Sequence, residues 1–235
     1  MDWSTRKHQT QFGVIVERGP LAGLADHATE FTMRHLAVRK GDRVAEPGCG
    51  TGVLSIYCAK AGAATVVGTD IDIDALAAAR ENAIRNGVAG VEFREGSLLE
   101  PVPGPLDLIV ALLPHKPAPR AFNPRYFGGR DGTDLILAVI KQSANLLRPA
   151  GRLILYLNSI ANPRRVEAEF SRAHSVRLLA EKKRPFTREE FDALTPGMFA
   201  HLQAQRAAGE AEFIGEGGKD TEAFFMARIY EGIRR

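Results

Sequence analysis

Short apolar runs alternate with stretches of helical spacing along most of the chain. Val44 and Ala45 end a first strand-like run, and Thr65 to Thr69 forms a second, closing on Asp70. Between them, Val53 to Ala63 sets Val53, Leu54, Ile56, Tyr57 and Ala59 to Ala61 on an apolar face, which predicts a helix. Ile73 to Asn86 predicts another, with Leu76, Ala77, Ala79, Ala83 and Ile84 on one face and Gly87 as its stop. Val91 to Glu95 alternates as a strand, and Leu106 to Ala111 is apolar enough for a parallel strand buried on both faces. A helix from Asp134 to about Leu147 stops at Arg148-Pro149-Ala150-Gly151 and leads into a buried strand, Arg152 to Leu157. Pro163 to Arg172 reads as a helix, Val176 to Lys183 as a strand and Glu222 to Tyr230 as the last strand. Before all of these, Gly13 to Val16 predicts a short strand, Pro20 to Gly23 a turn, and Asp26 to Ala37 a helix capped by Asp26. Strands alternating with helices predict an α/β fold with a mostly parallel sheet.

The length of 235 residues suits one such domain with a little decoration. Residues 1–40 form an N-terminal segment ahead of the core. Residues 186–219 make a link between the last two strands that is long for its kind. It opens on a capping box, Thr187 with Glu190, followed by Phe191, Leu194, Met198, Phe199 and Leu202 at helical spacing. Gly215 to Gly218 is flexible by composition. We expect this insertion to be a cap or lid over the acceptor site; the competing expectation is a helical decoration serving a dimer interface.

The stretch from Arg43 to Asp74 carries the chemistry. Glu46-Pro47-Gly48-Cys49-Gly50-Thr51-Gly52 turns the first strand into its helix, and Asp70 ends the next strand. Glycines let ligand atoms reach the backbone. The helix start offers free N–H groups to an anion such as a carboxylate. An acid after the second strand is placed to accept from ribose hydroxyls. Dinucleotide oxidoreductases use G-x-G-x-x-G, whereas Gly48, Gly50 and Gly52 are spaced G-x-G-x-G behind the acid Glu46. This pattern resembles the first motif of class I S-adenosylmethionine (SAM) methyltransferases. The resemblance implies a Rossmann-like, seven-strand sheet with helices on both faces and SAM as cofactor. It puts Glu46, Gly48, Gly50 and Gly52 at the methionine end, with Cys49 and Thr51 in the same loop, and Asp70 at the ribose, with Ile71 beside it. Asp26-His27-Ala28-Thr29 resembles the segment that closes over SAM in several amine-methylating families, which adds Thr29 to the cofactor set. In many methyltransferases the turn after the third strand carries an Asp for the adenine amino group. Here Ser97 occupies that place, so the contact leans on Ser97 and the backbone at Leu98.

Gly128-Gly129-Arg130-Asp131-Gly132-Thr133-Asp134, with Leu147 to Leu153 after the following helix, is similar to the protein-glutamine methyltransferases acting on release factors. The run from Val44 to Gly87 is similar to those and to the ribosomal-protein methyltransferases, so the resemblance covers about residues 26–157. Those glutamine enzymes carry N-P-P-Y after the fourth strand. Here Leu112, Leu113, Pro114 and His115 stand there, so the amide-selecting Asn is absent. Leu112, Pro114 and His115 are therefore the candidate catalytic residues, Leu112 also bordering the cofactor. His115 is a candidate proton acceptor, since imidazole titrates near neutrality. Methyl transfer asks mainly for an in-line nucleophile and exclusion of water.

Composition narrows the rest. A net charge of +3 with pI about 9.0 permits a nucleic-acid partner without requiring one. The two cysteines, Cys49 and Cys58, build neither a metal cluster nor a disulfide framework, which fits a reducing cytoplasm. No metal, membrane span or signal peptide is expected. The expected activity is methyl transfer from SAM to a nitrogen, with oxygen next, of a small-molecule acceptor, by a monomer or homodimer. A protein or RNA acceptor is the alternative, and a non-catalytic SAM-binding protein a further one. A closed apolar pocket under Phe191 to Leu202 would favour the small molecule; a long basic groove would favour RNA.

Overall fold

The structure, a computed structural model, describes residues 7–17, 27–215 and 223–235. The expected turn at Pro20–Gly23, the Asp26 cap, most of the Gly215–Gly218 run and the Glu222 strand start lie outside the described residues. The strands are β1 (Lys7–Gln9), β2 (Ile15–Glu17), β3 (Arg43–Pro47), β4 (Thr65–Asp70), β5 (Val91–Glu95), β6 (Leu106–Ala111), β7 (Leu147–Asn158), β8 (His174–Phe186) and β9 (Ala223–Arg234). The helices are α1 (His27–His35), α2 (Val53–Lys60), α3 (Ile73–Arg85), α4 (Asp134–Leu146), α5 (Pro163–Ala173), α6 (Arg188–Leu194) and α7 (Met198–Ala207). β1 and β2 form an antiparallel pair. The other seven strands make one mixed, mostly parallel sheet in the order β5-β4-β3-β6-β7-β9-β8. The expected seven-strand Rossmann-like architecture is therefore present.

The described residues pack as two compact units, within the following bounds. The first is Met1–Leu112, Gln142–Ile154 and Ile233–Arg235; the second is Leu113–Lys141 and Leu155–Gly232. In the first, β3 pairs in parallel with β4 and β6, and β4 with β5. The register sets Pro47 opposite Thr69 and Asp70 opposite Glu95, so the turns after β3, β4 and β5 leave from one edge of the sheet. Val44, Ala45, Leu108 and Ile109 are buried along these strands, and Ile56, Leu76 and Ala79 come from the helices. A buried ion pair, Arg152 to Asp42 at 2.8 Å, joins β7 to the entry of β3, and Arg152 also donates to the Ala37 carbonyl at 2.7 Å. The Asn86 side chain holds β2 against the end of α3, accepting from the Ile15 N–H at 2.9 Å.

The second unit contains β8, α5, α6 and α7. The capping box of Thr187 and Glu190 forms as expected. The single helical stretch expected after it is instead two helices, because Thr195-Pro196-Gly197 interrupts it and Gly197 adopts φ 82°. β8 runs longer at both ends than the expected Val176–Lys183, delivering Phe186 to the unit's interior. Among the described residues, no helix is long and apolar enough to cross a membrane.

Candidate functional site

The first unit brings most of the expected cofactor residues together through a chain of hydrogen bonds. Asp70 reaches across the sheet edge: its Oδ2 accepts from the Gly50 N–H at 2.8 Å and its Oδ1 from the Asp72 N–H at 3.0 Å. The Cys49 N–H donates to the Thr69 carbonyl at 2.8 Å, so the glycine loop is tied to the end of β4 at two points. The Thr69 hydroxyl donates to the Leu98 carbonyl, which fixes the turn after β5 to the same edge. Leu98 takes φ 51°, and Ser97 is exposed beside it. The Thr51 carbonyl accepts from the Asn82 side chain at 3.1 Å. Asp72 caps α3, accepting from the Asp74 and Ala75 N–H groups.

Two of the glycines do different work. Gly50 has φ +52°, and a Cβ there would meet nothing within 4 Å. That face of the loop is open for a ligand. Gly52 has φ +80°, and a Cβ there would lie 2.8 Å from the Phe93 ring. Its hydrogen serves packing as well as backbone shape.

Glu46 is 5% exposed at the end of β3, and the Ser55 hydroxyl donates to its Oε2 at 2.5 Å. Burial pushes its carboxyl up to about 8, against the Ser55 hydrogen bonds and with the Asp70 charge adding to the rise. Burial also drives the Cys49 thiol far upward, with Glu46 and Asp70 contributing, so Cys49 is chemically inert filling. Thr29 is buried on α1, Ile71 is 69% exposed directly after Asp70, and Leu112 is half-buried beyond β6.

The donor set fits SAM. A carboxylate offers about four lone-pair directions; Asp70 uses one for Gly50 and one for Asp72, leaving capacity for a ribose diol. Glu46 suits the cationic amino-acid end. The open side of Gly50 admits the chain between them, and exposed Ile71 offers apolar cover for a base. Thr69, Ser55 and Asp72 were missed by the sequence reading. A hydroxyl in a strand carries no periodic signal, and their roles depend on which strand ends the sheet order brings together.

The second unit places the acceptor-side residues. His115 is 6% exposed, not at a solvent-facing mouth. Its Nδ1–H donates to the Leu113 carbonyl at 2.6 Å, and its Nε2 accepts from the Asn158 N–H at 3.1 Å. Its ring stands edge-on to Tyr156 at 5.5 Å. A carbonyl on one side and an N–H on the other require the neutral Nδ1–H tautomer, and both nitrogens are occupied. This arrangement leaves neither nitrogen to take a proton from an acceptor. His115 instead clasps the segment after β6 to the end of β7.

The glycine-rich motif explains itself against the same segment. A Cβ on Gly128 would lie 2.4 Å from the His115 Cα and 2.9 Å from the Pro114 carbonyl; one on Gly132 would lie 2.5 Å from the His115 carbonyl. The motif lets two backbones touch. Between these glycines, Asp131 accepts from the Thr133 hydroxyl at 2.7 Å, the Asn162 side chain at 3.0 Å and Arg165 at 2.7 Å. Burial works against its ionisation, but the Thr133, Arg165 and Asn162 hydrogen bonds outweigh it and hold the carboxyl below its ordinary range.

The insertion packs on itself. Phe186, 2% exposed, is ringed by Phe191, Phe199, Phe213 and Phe225 at centroid distances of 4.6–6.1 Å. Lys116 Nζ sits 4.5 Å over the Phe191 ring, and the His201 and Gln205 side chains donate to the Arg130 carbonyl at 2.7 and 3.0 Å. The insertion and the loop after His115 are thus one packed body within this unit.

Residues 22–184 match the family model described as methyltransferase small domain. The chain belongs to that family. Relatives that match the chain are named as methyltransferases. A putative protein N5-glutamine methyltransferase of Methanocaldococcus jannaschii is 34% identical over 134 residues, 54% of this chain and 68% of that protein. The ribosomal protein L11 methyltransferase of Thermus thermophilus is 39% identical over 146 residues, 58% of this chain and 55% of that protein. The chain thus spans about half the length of that ribosomal relative. Among solved structures, the Thermus thermophilus 16S rRNA N2 G1207 methyltransferase, determined with AdoMet and guanosine, superposes with TM-score 0.63 at 17% identity. It covers 98% of this chain, which covers 50% of it, and the likeness shows the fold. This methyltransferase small domain is a SAM-dependent enzyme; the glycine spacing that set it apart from nicotinamide oxidoreductases is consistent with that membership.

Proposed function

We propose that this enzyme transfers a methyl group from SAM to a nitrogen of a macromolecular acceptor, a protein side chain or RNA. The small-molecule acceptor put first from the sequence gives way to its alternative. The observation carrying this reading is the insertion's apolar side. The pocket that a small acceptor would need under Phe191 to Leu202 is filled by the chain's own Phe186, Phe213 and neighbouring rings. The relatives support it: those named above act, by their names, on protein glutamine, a ribosomal protein and rRNA.

In this reading Asp70 holds the ribose, Glu46 the amino-acid end, the Gly48 to Gly52 backbone the carboxylate, and Ser97 with Leu98 the adenine edge. Thr29 and Ile71 cover the cofactor. Leu112 and Pro114 shape the approach of the acceptor and exclude water, and His115 positions them. The catalytic demand is orientation, so the missing Asn of the glutamine enzymes alters the acceptor accepted without removing the reaction.

Gel filtration of a cell extract tests this. The macromolecular fraction, incubated with the enzyme and methyl-labelled SAM, is expected to take up label. Label confined to the small-molecule fraction would overturn the reading.

A further inference from the structure

Residues 113–130, beginning two residues beyond β6, contain Lys116, Arg120, Arg125 and Arg130 and no acidic residue. Arg120, Arg125 and Arg130 are exposed, and Tyr126 is 43% exposed among them. A basic run of this kind is commonly a solvated face of no consequence. Three features make this one different.

It is held rigid. The Lys116 N–H donates to the Tyr126 carbonyl at 2.7 Å, the Gly128 N–H to the Lys116 carbonyl at 3.1 Å and the Ala118 N–H to the Gly129 carbonyl at 3.3 Å. The Asn123 carbonyl receives the Tyr126 and Phe127 N–H groups at 3.0 and 3.1 Å, and Phe122 packs edge-on against Phe127 at 5.6 Å. Pro117, Pro119 and Pro124 restrict what remains. Little chain entropy is left to lose on binding. It is also braced from outside, since α6 and α7 hold it through Phe191 under Lys116 and through His201 and Gln205 on the Arg130 carbonyl. Finally, it interleaves guanidinium groups with an exposed aromatic ring. Guanidinium groups fit phosphates bidentately, and an exposed ring stacks an unpaired base. An acidic protein surface would use the charges and leave the ring idle.

We propose that the 113–130 loop is a docking surface for single-stranded RNA, with Arg120 and Arg125 on consecutive phosphates and Tyr126 stacking a base. This rests on the macromolecular reading above and narrows it. The loop leads directly from the Pro114–His115 segment, so RNA held on it is delivered to the acceptor side of the enzyme.

The test uses the full chain and a fluorescein-labelled oligouridine of about 16 nucleotides, read by anisotropy over a range of salt concentrations without cofactor. Binding is expected, falling with salt. Arg120→Glu with Arg125→Glu should weaken it at least about tenfold at low salt and reduce the log–log salt slope by roughly 1.4, two single-strand phosphates' worth. Tyr126→Ala should weaken it roughly 5- to 150-fold with the slope unchanged. Arg120→Gln with Arg125→Gln gives the same direction without reversed charge. Failure of the wild-type protein to bind, equal binding by all variants, or tighter binding of a polyglutamate peptide would overturn the proposal. Thermal stabilisation by S-adenosylhomocysteine, measured on the same samples, reports the cofactor site separately, so loss of one reading is distinguishable from loss of the other.

Discussion

The Gly50 N–H donates to the Asp70 carboxylate at 2.8 Å across twenty positions of sequence. The acid read from the sequence as a ribose ligand is also the clamp of the glycine loop. One side chain thus sets the loop's shape, and in the proposed cofactor placement it would offer its remaining lone pairs to the ligand.

Glu46 should make both stability and cofactor affinity depend on pH. Its folded value of about 8 stands against an ordinary 4.5, so the folded chain holds this proton more tightly than the unfolded one. The stability it contributes is complete below about pH 4.5 and is lost as pH rises through about 8. Glu46→Gln removes that dependence. In urea unfolding, the variant should gain on the wild type steadily across this window, and parallel curves would contradict the assignment. Because SAM carries positive charge at its sulfonium and amino groups, wild-type affinity should rise with pH over the same window while that of the variant stays flatter.

Gly52→Ala should be damaging through packing. Its φ of +80° disfavours a side chain, and the new Cβ would lie 2.8 Å from the Phe93 ring. A loss of about 1–3 kcal/mol is expected by denaturant unfolding. Phe93→Leu in the same chain should recover part of it by making room. Gly50→Ala, with nothing within 4 Å of its Cβ, should leave packing intact, cost about 1 kcal/mol through the backbone strain of φ +52°, and weaken cofactor affinity besides.

His115→Ala should act through the fold. It leaves the part-buried Asn158 N–H without its acceptor, at a cost toward the lower end of about 1–3 kcal/mol. That corresponds to a Tm lower by roughly 2–4 °C per kcal/mol for a chain of this size. The pH–rate profile of the folded fraction should keep its shape. Disappearance of a limb near neutrality would restore His115 as a base.

Asp131→Ala should loosen the loop behind Pro114. The hydrogen bonds from Thr133, Arg165 and Asn162 hold its carboxyl below the ordinary 3.8, so its contribution is present above that pH and is lost on acidification below it. The stability gap between wild type and variant should therefore close as the solution is acidified below about pH 4. A gap independent of pH would mean that the network contributes only packing.

Much of the fold could be read from the chain because local signals agreed with global ones. Leu106–Ala111 is apolar but for Asp107 and forms β6 with the expected ends, and Gly87 stops α3 where expected, with φ 62°. β1 was not anticipated, since Lys7-His8-Gln9 is polar and is a strand only by pairing with β2. The break between α6 and α7 was visible in Pro196-Gly197 but was outweighed by the apolar spacing around it. At the site, glycines and acids announce themselves by spacing, whereas Ser55 and Thr69 do not. The burial of His115 carries no signal in the sequence either, since a histidine close to prolines suits a loop or a core equally, and only the fold that brings Asn158 alongside shows both ring nitrogens occupied.

The most direct measurement is titration calorimetry of SAM and of NAD against the wild-type protein and Asp70→Ala. The wild type should bind SAM and not NAD, and the variant should bind SAM more weakly by about 1–3 kcal/mol, roughly 5- to 150-fold in Kd. Undiminished SAM affinity in the variant would contradict the assignment of Asp70 to the ribose and the loop clamp, and with it the placement of the cofactor.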